Sequence, residues 1–141
     1  MFKKIVVPVD PSEIDFAKPA VEAAANLAAQ SGGEVRLIAV LPVMNGYVSE
    51  LLPADYESAL ETETDKRVRA LGIDAGVPAD KLSIVMRTGS VYHEVIDEAK
   101  AWPADAIVVC SHRPAMSTYL LGSNAAKIVR HATCSVLVLR S

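Results

Sequence analysis

Ala106-Ile-Val-Val-Cys-Ser-His-Arg-Pro-Ala-Met-Ser-Thr-Tyr-Leu-Leu-Gly-Ser-Asn-Ala-Ala-Lys-Ile-Val-Arg-His131 runs from a short apolar segment through a polar loop into an amphipathic helix. The run Ala106 to Val109 has the length and composition of a buried strand. After Gly122, the apolar residues Ala125, Ile128, Val129 and Ala132 recur at i, i+3, i+4 and i+7, one face of a helix. Lys127, Arg130 and His131 place basic charge at its C-terminal end, where the helix dipole favours it. A second apolar run, Ser135 to Leu139, follows at once. Two continuous apolar runs joined through a helix describe parallel strands buried on both faces.

The same alternation extends back to the start of the chain. Ile5 to Val9, Val35 to Val40 and Leu82 to Met86 read as three further strands, so five are expected with four helical segments between them. The first helix is expected over Phe16 to Gln30, capped by Asp15, with Pro19 in its first turn and Ser31-Gly32-Gly33 ending it. The second lies within Ala54 to Leu71, its charged middle a solvated face with i,i+4 pairs such as Glu63 with Arg67. The third begins after Gly89-Ser90 and buries Val91, Val95, Ile96 and Ala99. The fold class is therefore α/β: a single domain over residues 1–141, built on an open five-stranded parallel sheet with helices on both faces. One connection, Leu41 to Pro53, is too long for a simple turn and reads either as a lid or as a satellite apolar cluster.

Composition bounds the function. With 51% apolar and 22% charged residues the chain supports a core and does not read as disordered. A net charge of -3 without a Lys/Arg run argues against nucleic-acid partners, and no stretch reaches the length of a membrane span. Met1-Phe-Lys-Lys4 leads only into Ile5 to Val9 and then Asp10-Pro11, which does not read as a targeting leader. Cys110 and Cys134 show no CxxC spacing and suit a reducing compartment, so the expected location is cytoplasmic.

In open parallel sheets, ligands bind beyond the carboxyl ends of the strands where the strand order reverses. If the first and fourth strands are neighbours there, Pro8-Val9-Asp10 and Val109-Cys110-Ser111 border one crevice. The helix opening at Gly122-Ser123-Asn124 presents unpaired N–H groups and the positive end of its dipole, a setting for phosphate. Asp10 with Ser12 equally suits an Asx-type turn, and Ser123 equally suits a plain helix cap. Neither a G-x-x-x-x-G-K-[ST] loop nor a G-x-G-x-x-G fingerprint occurs. His112 and His131 lack metal-ligand spacing, so no metal site is expected.

Lys3-Lys-Ile-Val-Val-Pro-Val-Asp10, Gly89-Ser90 before a helix, Ser111-His-Arg-Pro114, Tyr119-Leu-Leu-Gly-Ser-Asn-Ala-Ala-Lys-Ile-Val-Arg-His-Ala132 and Cys134-Ser-Val-Leu-Val-Leu139 together resemble the bacterial universal stress proteins. The resemblance covers essentially the whole chain and is strongest to the branch that includes universal stress proteins F and G. It implies a Rossmann-like sheet of strand order 3-2-1-4-5. Nucleotide-binding members carry G-x2-G-x9-G-[ST] ahead of the last helix. Here Gly122-Ser123 matches its close, whereas Cys110 and Arg113 occupy the earlier glycine positions, and Pro114 to Leu121 is one residue shorter. Two lost glycines remove close backbone approach, while Arg113 offers planar donors for phosphate oxygens beside a loop stiffened by Pro114.

Carried over by position, the resemblance implies that Pro8, Val9 and Asp10 line the adenosine side and Val40 contacts adenine. Val109, Cys110 and Ser111 would border the ribose, with Arg113, Gly122, Ser123, Asn124 and Ala125 at the phosphates. The implied ligand is ATP, with Mg, or ADP or AMP in its place. The implied function is a cytoplasmic regulatory homodimer of the stress response with no catalysis, or at most weak ATP hydrolysis or autophosphorylation. The alternative is a dimeric interaction module that binds no nucleotide. Val136 to Leu139, an apolar strand at the chain end, invites edge pairing, and the resemblance implies that two copies associate through it.

Overall fold

The computed structural model describes residues 2–43, 46–111 and 123–140. Five strands, β1 (Lys4–Val9), β2 (Glu34–Leu41), β3 (Leu82–Thr88), β4 (Ala106–Cys110) and β5 (Ser135–Leu139), form one sheet. All pairings are parallel and the order is β3-β2-β1-β4-β5, as the sequence leads one to expect. The helices are α1 (Lys18–Ser31), α2 (Gly46–Glu50), α3 (Tyr56–Asp74), α4 (Val91–Ala101) and α5 (Ser123–His131).

Strand alternation divides the core in two. Ile5, Val7 and Val9 of β1 join Val21, Ala24, Val68 and Leu71 beneath α1 and α3. Val6 joins Ile38, Val95, Ile107 and Ile128 beneath α4 and α5 on the other face. Each buried aliphatic side chain contributes about 1.5–3 kcal/mol, and β1, buried on both faces, collects this on every residue from Ile5 to Val7.

Two details of α1 differ from expectation. Ile14–Ala17 winds as a 3-10 turn, so the helix proper starts at Lys18 after Ala17, and Asp15 sits inside the turn instead of capping. The other end follows the sequence: Gly32 takes φ +67°, a left-handed conformation that costs glycine nothing. Gly33 is fixed by space, since a Cβ there would stand 2.7 Å from the Lys3 backbone. In α3 the i,i+4 pair is Asp65 with Arg69 at 3.5 Å, rather than Glu63 with Arg67. The stripe of α4 buries Val95, Ile96 and Ala99, and Val91 is only half-buried. In α5, Val129 remains 45% exposed because this helix covers the sheet margin, where no described element packs beyond it.

A paired charge network locks α4 onto β2 and β3. Glu98, 6% exposed, accepts from Arg36 Nη1 at 2.7 Å and Arg87 Nη1 at 2.9 Å, while Arg87 Nε donates to Glu94 at 2.8 Å. Both charges on Arg36 and Arg87 are thereby compensated, as burial requires. The Arg36 guanidinium also stacks 4.2 Å from the Trp102 ring centre.

The Asp105 carboxylate accepts from the Lys3 and Lys4 backbone N–H groups at 2.8 and 2.9 Å, tying the β4 entry to the β1 entry. These bonds favour the ionised form and hold its pKa below the ordinary carboxylate value. A depressed folded-state pKa contributes stability above the unfolded pKa, which is lost as pH falls through the folded one. Asp105→Asn is therefore expected to flatten the acid limb of the stability curve, measured by urea unfolding across pH. An acid limb identical to that of the parent would contradict this role.

Candidate functional site

The ladder between β1 and β2 runs from Lys4↔Glu34 to Val9↔Ala39, but β1 meets β4 only at Ile5↔Ala106 and Val6↔Ile107. Above these rungs the two central strands part. Pro8 brings no N–H to either neighbour, which suits the place where pairing ends. At this point the connections also change faces, α1 covering one side and α4 with α5 the other. The result is a crevice at the carboxyl end of the sheet, with a cavity of about 400 Å³.

Of the twelve residues singled out in the sequence, ten line this cavity. Pro8, Val9 and Asp10 come from the end of β1, Val40 from β2, and Val109, Cys110 and Ser111 from the end of β4. Ser123, Asn124 and Ala125 form the opening turn of α5. Arg113 and Gly122 lie outside the described residues, as does His112. The cavity also takes in residues that sequence reasoning missed: Pro11 after β1, Phe16 and Ala17 of the 3-10 turn and Ala20 of α1, and Ile38, Val91 and Ile128 on the opposite face. The small face Ala17, Ala20 and Ala24 was the available signal, because residues of that size leave room above a sheet.

Among the described lining residues the polar ones are Asp10, Ser111, Ser123 and Asn124. Asp10 closes the Asx-type turn: its Oδ1 accepts from Ser12 N at 2.9 Å and Ser12 Oγ at 2.7 Å. Held this way, Asp10 keeps a fixed carboxylate beside the cavity. Ser111 is 1% exposed, with its N–H bonded to the Leu139 carbonyl at 2.9 Å. The first residues of α5, Ser123 and Asn124, are exposed and present the N-terminal end of the helix to the crevice. The described walls are apolar, Phe16 standing among mostly aliphatic side chains, so the described residues offer an apolar slot, one carboxylate and one positive helix end.

Cys110 stands in the wall. Its thiol contacts the Phe16 carbonyl at 3.8 Å, and burial pushes its pKa up because the thiolate is disfavoured there. That makes it a packing residue of low nucleophilicity at neutral pH.

A family profile described as "Universal stress protein family" matches residues 1–140. The chain belongs to the universal stress protein family. It is 36% identical to universal stress protein G of Shigella flexneri, with 99% of this chain and 100% of that protein aligned. The fold recurs in a universal stress protein crystallised in complex with cAMP, at TM-score 0.71 and 21% identity, covering 99% of this chain and 97% of that one. It recurs again in the universal stress protein from Archaeoglobus fulgidus in complex with dAMP, at TM-score 0.67 and 22% identity, covering 97% of each chain. For this universal stress protein no described helix is long and apolar enough to cross a membrane.

In the Cys134→Ser background, Cys110 is expected to react with iodoacetamide with a pH midpoint above that of an unperturbed thiol. A midpoint at or below the ordinary thiol value would contradict the buried-wall assignment.

Proposed function

We propose that the chain binds an adenine nucleotide, ATP with ADP or AMP as competitors, in the crevice between β1 and β4. The observation that carries this reading is the convergence of three unlike groups on one cavity: the Asp10 carboxylate, the Val40 side of an aliphatic slot, and the opening turn of α5. A flat apolar base fits between aliphatic walls, sugar hydroxyls donate to a carboxylate, and phosphate oxygens suit a helix N-terminus. A cavity of about 400 Å³ lies in the size range of small-molecule sites. Two relatives of the same fold are named for complexes with cAMP and dAMP, both adenine nucleotides, which supports the base assignment. Arg113 and Gly122 lie outside the described residues; by the resemblance, Arg113 is proposed to offer side-chain donors to phosphate where nucleotide-binding family members carry a glycine.

Catalysis is not part of the proposal. The described lining contains no Lys and no base paired with a nucleophile, and Asp10 is engaged in its turn. The reading is that of a nucleotide-responsive regulator in the reducing cytoplasm, consistent with two free cysteines.

Two copies are proposed to associate through β5. Among the described residues this strand pairs with β4 and with no other strand, and Leu137 on it is 39% exposed. Leu137→Asp places charge on that strand and is expected to yield a monomer in sedimentation at micromolar concentration. A monomeric parent would end the dimer reading.

For the nucleotide, the freshly purified protein is expected to release an adenine nucleotide on denaturation, identified by mass, and to bind ATP in calorimetry. Asp10→Ala is expected to weaken ATP by about tenfold, as loss of one charge-assisted hydrogen bond does. Arg113→Ala should do the same, and Gly122→Val more. A parent that neither carries nor titrates nucleotide leaves the chain an interaction module.

A further inference from the structure

Among the described residues, the leading turns of α3 extend beyond the buried stripe of the helix. Residues 56–63 are exposed throughout, and burial begins only at Thr64, continuing at Val68 and Leu71. Helical periodicity puts Leu60 and Tyr56, four and eight residues before Thr64, at the margin of the stripe that packs on β2 and β3 farther along. The helix therefore carries its apolar face past the carboxyl end of the sheet into solvent. Tyr47 and Leu51, a second i,i+4 pair on α2 and the turn after it, are 74% and 70% exposed.

Charge surrounds these apolar residues and has one sign. Glu50, Asp55, Glu57, Glu61 and Glu63 fall among them, and no Lys or Arg occurs between Arg36 and Lys66. None of these carboxylates joins a salt bridge among the described residues. We propose that this overhanging α2–α3 arm is a docking surface for a basic amphipathic helix of another protein.

Apolar anchors at i,i+4 spacing receive the apolar face of a partner helix, and the flanking carboxylates meet its lysines. The same charge selects against other occupants. A second copy would bring a matching set of carboxylates against the first with no cation between them, and anionic lipid or nucleic acid would meet the same repulsion. Helix α3 begins where β2 and β3 end, so a partner on the arm would sit at the crevice end of the sheet.

The test uses the full chain and a labelled Leu/Lys amphipathic peptide of about 18 residues, followed by fluorescence anisotropy beside a counterpart with Glu at every Lys. Saturable binding of the Lys peptide is expected, at least about tenfold tighter than the Glu peptide and weakened by raising salt. Tyr56→Ser with Leu60→Ser, and separately Glu57→Lys with Glu61→Lys, should each weaken it about tenfold, with the melting temperature of each variant measured beside the parent's. Should the first pair disturb folding, Leu51→Ser carries the apolar arm of the test alone. Binding indifferent to these changes, or equal for the two peptides, overturns the proposal. So does a Tyr56- and Leu60-dependent self-association in sedimentation, or a Tyr56- and Leu60-dependent adsorption to phosphatidylglycerol vesicles.

Discussion

Burial of β1 on both faces is the constraint from which the remaining architecture follows. A strand with Ile5, Val7 and Val9 on one side and Val6 on the other needs helices on both sides and a paired strand at each edge. Parallel strands require crossovers, and crossovers of one hand place α1 and α3 on one face while the chain moves outward through β2 and β3. The return across β1 to β4 reverses direction and so moves α4 and α5 to the other face. The crevice is the geometric residue of that reversal, created before any side chain is chosen to fill it.

The strands were legible as continuous apolar runs: Ile5 to Val9 is apolar because β1 is buried on both faces, whereas Val136 to Leu139 is equally apolar although β5 lies at the sheet margin and Leu137 is 39% exposed. Their ends were less so, since Lys4, Glu34 and Thr88 belong to the ladder through backbone pairing that polar side chains do not disclose. The five-residue α2 fell inside an expected loop, being too short to show a stripe. Asp15 has the chemistry of a cap, but its segment winds as a 3-10 turn. Glu98 went unnoticed inside a buried stripe, because its partners Arg36 and Arg87 come from strands in which they interrupt otherwise apolar runs.

At the candidate site, what could be read was the part contributed by strand ends and the last helix, where position along a strand fixes position in space. Phe16, Ala17 and Ala20 could not be, since their approach depends on how closely α1 settles on the sheet. The alanine face permits that approach. Asp10 satisfies two readings at once: the turn it builds orients the carboxylate that borders the cavity.

The staples at the β1 entry join distant parts of the chain. Asp105 N donates to the Lys4 carbonyl at 2.7 Å, and its carboxylate receives Lys3 and Lys4 from the other direction. Pairing of β1 with β2 closes a short loop, whereas pairing with β4 must span most of the chain, and loop-closure entropy delays such contacts. During synthesis β1, β2 and β3 can assemble while β4 is still absent. The crevice between β1 and β4 therefore cannot form until β4 and the opening of α5 have been made, well after the β1–β2–β3 half of the sheet.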